Sequence, residues 1–444
     1  MKNISGKKLL EMEKNFDGRG SFASAMNAVV KSGFEASAAA YDMPRRMRYA
    51  FSIELDTGSI KNQKQSGRCW MFAALNVMSF EIMKKLNLED FELSQAYPLF
   101  YDKLEKSNYF LESIIETVNM PVTDRLIAHL LTAPLGDGGQ WDMFRNLVEK
   151  YGVVPKEMMP ESFHSSNTAA LNRLMTAKLR EYACNIRTAY TNGASKDELR
   201  GIKEGMLEEI YRTLCIALGK PPKNVTLELR DKDKNFIRIE DISPQDFFAK
   251  YISWDLSDYV SLINAPTADK PYHKTYTVSY LGNVKGGHDV RYLNLPSDEL
   301  KKYAIEQLKD GKPVWFGCDV GKYLNREHGS MDLDGYDYPN LLGYDFNMTK
   351  AQRLDYQESL MTHAMVFTGV NLDKNGKPDR WKVENSWGKE KGKKGWFIMS
   401  DEWFSEFLYQ VLIDKKYLSE TIKKEYEQKP IVLKPWDPMG SLAL

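Results

Sequence analysis

After Arg68 the apolar residues recur at helical spacing. Trp70, Ala73, Ala74, Val77 and Met78 share one face, the period of a buried amphipathic helix. The helical pattern continues to about Tyr151, with Ser94 placed as the N-cap of a helix carrying Tyr97, Phe100, Tyr101 and Leu104 on one side. Residues 165–220 predict an antiparallel helix pair. Leu171, Leu174, Met175, Leu179, Tyr182 and Ile186 form the first stripe. Ser195 and Glu198 form a capping box for the second helix, which carries Leu199, Ile202, Met206, Ile210 and Leu214 and stops at Gly219 with Pro221 and Pro222. Cys184 and Cys215 fall on or beside these stripes and read as packing residues.

The period then changes. Val225–Leu229 and Phe236–Ile239 flank a polar turn and predict a hairpin. Strand patterns follow at Tyr276–Tyr280, Val314–Cys318, Ala364–Val370, Trp381–Asn385 and Gly395–Met399. Helices first and strands later, with little alternation, predict an α+β fold. Residues 1–60 read as a mixed arm containing one strand candidate, Phe51–Leu55.

Composition narrows the setting. At 444 residues, roughly three domains are expected. Lys plus Arg and Asp plus Glu each number 61, so there is no global basic field for nucleic acid or an anionic membrane. The basic stretches Pro44–Arg48 and Lys389–Lys394 read as solvated faces. Four widely spaced cysteines form neither a disulfide framework nor a zinc spacing with the six histidines, so no metal or cofactor is expected. The amino end lacks the apolar core of a signal peptide, and no apolar run is long enough to span a bilayer. A cytoplasmic chain with reduced thiols is the expectation. The glycine-rich loop Leu135–Trp141 lacks a P-loop pattern and reads as a turn whose backbone approaches a neighbour closely.

Cys69 would open the first helix, where free N–H groups favour a thiolate. Gln63 would be turned back so that its amide can donate to an oxyanion. Taken alone, Cys69 reads equally as a buried structural cysteine. A nucleophilic thiol needs a base, and the base a group that orients it. His363 heads one strand and Asn385 ends the returning one, with a polar turn at Asp373–Lys377 between them. Hairpin geometry would set the two side by side. The other five histidines have no such arrangement.

These residues resemble a known family. Gln63, Cys69-Trp70, a Gly-Gly loop, His363-Ala364 and Asn385-Ser386-Trp387-Gly388 follow the order of the papain-like cysteine peptidases. Ser66 and Arg68 depart from the C-G-[SA]-C-[WY] pattern, and Ser66 removes a half-cystine used by secreted members. The interval from Cys69 to His363 exceeds the usual about 130–150 residues by roughly 150, much of it supplied by the helix pair and hairpin. Over nearly the whole chain, Asn62–Trp70, Trp315–Lys322, Ser359–Met365 and Trp436–Gly440 resemble the bleomycin hydrolase and bacterial aminopeptidase C family.

The resemblance implies a papain-like two-lobed fold. It would divide into an N-terminal arm (1–60), a helical lobe with the nucleophile (61–164), a helical and hairpin insertion (165–250), a β lobe with the histidine and asparagine (251–400), and a C-terminal helix and tail (401–444). It implies Cys69, His363 and Asn385 as catalytic residues, Gln63 at the oxyanion, and Gly138 and Gly139 against the substrate backbone. It further implies a homohexamer acting on peptides with a free N-terminus, the terminal carboxylate of Leu444 meeting the substrate's α-amino group. The tail itself, with Trp436, Met439, Leu442 and Leu444, reads as docked. An open-cleft endopeptidase and a catalytically silent peptide-binding ring are the competing readings.

Overall fold

The computed structural model describes residues 3–442. Among these, helices dominate before residue 220, and a 12-stranded sheet draws all its strands but Ile53–Glu54 from Tyr259 onward. The sheet is largely antiparallel. His363–Leu372 lies near its middle, between Val314–Cys318 and Pro378–Glu384, with His363 opposite Cys318 and Val366 opposite Glu384. Leu408–Asp414 also runs through the centre, between Val314–Cys318 and Tyr259–Ile263. A central strand therefore comes from the stretch expected to hold only a C-terminal helix and tail.

Two apolar layers fix this arrangement. The helix Cys69–Leu86 is buried along most of its length and packs on one sheet face with Trp141, Phe144 and Trp315. On the other face Phe316, Phe367, Trp381 and Phe404 stack, the Phe316 and Phe367 rings 3.9 Å apart. The functional side chains lie where the Cys69–Leu86 helix meets the end of the central hairpin.

The insertion forms the expected pair, Ala169–Thr191 and Lys196–Leu218, with the Ser195/Glu198 capping box in place. The hairpin Val225–Arg230 and Phe236–Ile242 follows. Ser94 sits one residue outside the expected cap of Ala96–Glu116, yet its Oγ still accepts the Tyr97 N–H at 3.2 Å.

Three expectations fail here. Cys184 is exposed, because it lies two residues from both Tyr182 and Ile186 and turns to the opposite side. Leu174 is 62% exposed and Ile202 44%; Leu174 is turned about 100° from Met175 and misses the buried stripe. The amino-terminal arm is mainly helical, Gly6–Asp17 and Gly20–Ala38, and its strand shrinks to Ile53–Glu54. Those two helices bury almost nothing, so no core-facing period marks them.

Candidate active site

Cys69 sits at the start of its helix because the turn before it is pinned from below. The Gly67 N–H donates to Asp137 Oδ2 at 2.9 Å. The same carboxylate accepts Lys103 Nζ at 2.6 Å, Asn172 Nδ2 at 2.8 Å and Thr168 Oγ1 at 2.5 Å. The Asp137 carbonyl accepts the indole N–H of Trp70 at 2.7 Å. Burial alone would raise this carboxyl; the Lys103 ammonium and the other donors hold it well below the usual carboxylate range. Next to it, the fully buried Arg68 reaches Glu161 with both terminal nitrogens, at 3.1 and 2.9 Å. Against the effect of burial, that guanidinium draws the Glu161 carboxyl down to about 2. The glycine-rich loop closes over Trp70. A Cβ on Gly139 would lie 2.5 Å from the indole, which is the close approach the sequence called for.

The sheet supplies the imidazole. His363 Nε2 lies 2.9 Å from Asn385 Oδ1, across the hairpin end. That oxygen also accepts the Ser386 N–H at 2.7 Å, so it is an acceptor to both. The ring therefore donates through Nε2 and keeps its Nδ1 lone pair. Trp387 covers the imidazole with ring centroids 4.9 Å apart. Glu384, one residue before Asn385, accepts Thr57 Oγ1 at 2.5 Å and Asn76 Nδ2 at 2.7 Å. Asn76 belongs to the Cys69 helix, so Glu384 ties the nucleophile's helix to the histidine's hairpin. Burial raises its carboxyl to about 7.

Gln63 also bridges the two halves. Its Oε1 accepts Ser386 Oγ and its Nε2 donates to Ser66 O, both at 2.5 Å. The amide is thus fixed in place, with one N–H of Nε2 spent and one left. Cys69, His363, Gly139 and Met361 line one small cavity, and Ser441 and Leu442 of the tail line it too. Gly138 borders a larger neighbouring cavity, its carbonyl accepting Lys106 Nζ at 2.6 Å. Leu444 lies outside the described residues.

Burial sets the resting charges. It pushes the Cys69 thiol up to about 11, against the backbone N–H of Ala364 that points at the sulfur. It pushes the His363 imidazole down to about 4; Asn385 opposes this and the Arg326 charge adds to it. Both groups are neutral at pH 7 in this closed arrangement. The thiolate expected from the helix start is outweighed by desolvation.

The tail reaches the site as a strap. The Arg125 guanidinium lies 3.9 Å over the Trp436 ring, Lys270 pairs with Asp437 at 2.9 Å, and Met439 is buried. Among the described residues no three His, Cys, Asp or Glu side chains gather to hold a metal. The bracing carboxylates Asp137, Glu161 and Glu384 were not singled out from the sequence. The available signals are a carboxylate between two glycines (Asp137) and one that ends a strand beside Asn385 (Glu384).

The Peptidase C1-like family profile matches residues 3–440. Aminopeptidase C of Lactobacillus delbrueckii subsp. lactis is 47% identical over 445 residues, covering 100% of this chain and 99% of that protein. Bleomycin hydrolase of Homo sapiens is 46% identical over 391 residues, covering 86% of each. The crystal structure of PepW from Lactobacillus rhamnosis HN001 superposes with a TM-score of 0.98 at 50% identity, covering 99% of both chains. The chain belongs to the Peptidase C1-like family, with the α+β class that its pattern of helices and strands implied and the papain-like fold that its motif resemblance implied.

Proposed function

We propose that this protein is a cysteine aminopeptidase that releases N-terminal residues from peptides through a thioester. The observation that carries it is the oriented His363–Asn385 pair sharing a cavity with Cys69 and the chain's own tail. Its relatives named aminopeptidase C and bleomycin hydrolase support the same reading.

Because thiol and imidazole start neutral, the proton passes from Cys69 Sγ to His363 as sulfur attacks the first peptide carbonyl. The oxyanion meets the Cys69 backbone N–H and the remaining Gln63 N–H, each such donor contributing roughly 3–4 kcal/mol in comparable sites. His363 returns the proton to the leaving amine, and Asn385 holds the imidazolium. Water then cleaves the thioester by the reverse path. Gly138 and Gly139 border the substrate backbone. Ser441 and Leu442 occupy the side away from the leaving group, and Leu444 would bring its carboxylate to the substrate's free α-amino group.

The setting is proposed as cytoplasmic, in keeping with four free thiols including the exposed Cys184. The assembly is proposed as a homohexamer. Leu9, Leu10, Met12, Phe16, Val30 and Phe34, left exposed on the amino-terminal helices, support self-association.

The test uses matched peptides with free and acetylated amino ends. Wild type should cleave only the free ones, and Cys69→Ala should cleave neither while remaining folded and assembled. Equal rates on acetylated peptides, or full activity in Cys69→Ala, would overturn the reading.

A further inference from the structure

The Arg326 charge acts on His363, adding to the effect of burial, and nothing in the chemistry above uses it. Its guanidinium stacks 5.0 Å over Trp387, whose indole in turn covers the imidazole at 4.9 Å. Arg326 is exposed and takes no carboxylate partner among the described residues. The basic run Lys389–Lys394, read from sequence as a solvated loop, touches the Arg326 loop. A Cβ on Gly329 would lie 2.6 Å from Gly392 Cα. The Tyr49 hydroxyl locks the two loops together, 2.9 Å from both His328 O and Trp396 O. Arg326, Lys389, Lys391, Lys393 and Lys394 are each exposed on these touching loops, whose exposed acids are Glu327 and Glu390.

Position decides what this rim meets. On the proposed function, which this step assumes, His363 protonates the leaving amine, so the leaving peptide passes over His363 and out past Trp387. Ser441 and Leu442 of the strap line the Cys69 cavity itself, whose lining does not include Trp387 or Arg326. Arg326 lies two ring contacts from His363, a distance spanned by about two to three extended residues. A guanidinium seated over an indole can still present its fork to a carboxylate. Every peptide that loses its first residue carries one carboxylate at its far end, and in short peptides that end falls here.

We propose that Arg326, backed by the Lys389–Lys394 loop, binds the C-terminal carboxylate of short peptides and so favours tri- and tetrapeptides with a free carboxyl end. Burial is the main cause of the depression of His363; pairing would quench the smaller contribution of the Arg326 charge and make the imidazole a better base when such a substrate is bound.

The experiment compares kcat/KM for free-acid and C-terminally amidated alanine peptides of three, four and eight residues, using the full-length protein. For the two short lengths wild type should prefer the acid about fivefold, the order expected for an exposed ion pair. The preference should vanish at eight residues and in about 0.5 M salt. Arg326→Gln should bring the short-peptide ratio to about one, and Arg326→Lys should keep part of it. With amidated peptides the acid limb of the kcat profile, which reports the enzyme–substrate complex, should lie at lower pH than with the free acids, by more in wild type than in Arg326→Gln. A wild-type ratio near one, or an unchanged ratio in Arg326→Gln, would overturn the inference. Failure of wild type to cleave any of these free-amine peptides would instead overturn the aminopeptidase reading beneath it.

Discussion

Asp137 and Glu384 are both buried, one under the Cys69 turn and the other beside Asn385, yet their carboxyls move in opposite directions. Asp137 has the Lys103 ammonium at 2.6 Å and stays ionised. Glu384 has only the neutral donors Thr57 and Asn76 in contact, and burial lifts it to about 7. For a carboxylate out of water, the charge of its neighbour outweighs the number of its hydrogen bonds. The nucleophile side is therefore braced by a permanent charge, and the imidazole side by one that titrates near neutrality.

The largest effect should come from Asp137→Ala, which strands the buried Lys103 and three neutral donors. A loss of about 3–5 kcal/mol in urea unfolding is expected, with folding rescued in part by a second change, Lys103→Met. A loss below about 1 kcal/mol would put Asp137 on the same footing as Glu384 and dissolve the contrast.

Next come two opposed pH slopes. Glu384 holds its proton longer in the folded state, so its contribution to stability falls as pH rises from 4.5 to about 7. His363 binds its proton more weakly when folded, so its contribution rises with pH from about 4 to 6.5. Each spans about 3 kcal/mol and largely cancels the other. Glu384→Gln should expose the rising slope and His363→Gln the falling one, read from urea midpoints between about pH 4 and 7.5. Identical slopes in the two variants would contradict the assignment.

Gly139→Ala should cost about 1–3 kcal/mol by driving a methyl into Trp70. It should lower peptidase activity while leaving the pH slope of Glu384 intact, since it touches only the Asp137 side. Ser195→Ala is the smallest and a control: loss of the cap should cost about 1 kcal/mol in thermal unfolding and move neither brace.

What is legible in the sequence follows the reach of each interaction. The Cys69 helix shows itself through local apolar spacing, and the His363–Asn385 pair through a hairpin whose turn lies between them. The insertion is legible from its capping box and the Gly219 stop. The braces are not, because Asp137 meets Lys103 and Asn172, and Glu384 meets Thr57 and Asn76, across long stretches of chain. The amino-terminal helices escape for a different reason: they bury no stripe for periodicity to report. The charge states of Cys69 and His363 depend on how completely the closed cleft excludes water, which residue order does not encode.

The strap from Trp436 to Leu442 carries a kinetic consequence. Held by Arg125, Lys270 and the buried Met439, it keeps Ser441 and Leu442 beside the Cys69 cavity. A tethered segment acts as its own competitor at an effective concentration of about millimolar or above. Peptides entering from that side must outbid a neighbour that never diffuses away, whereas those presenting a bare amino end beside it need displace nothing.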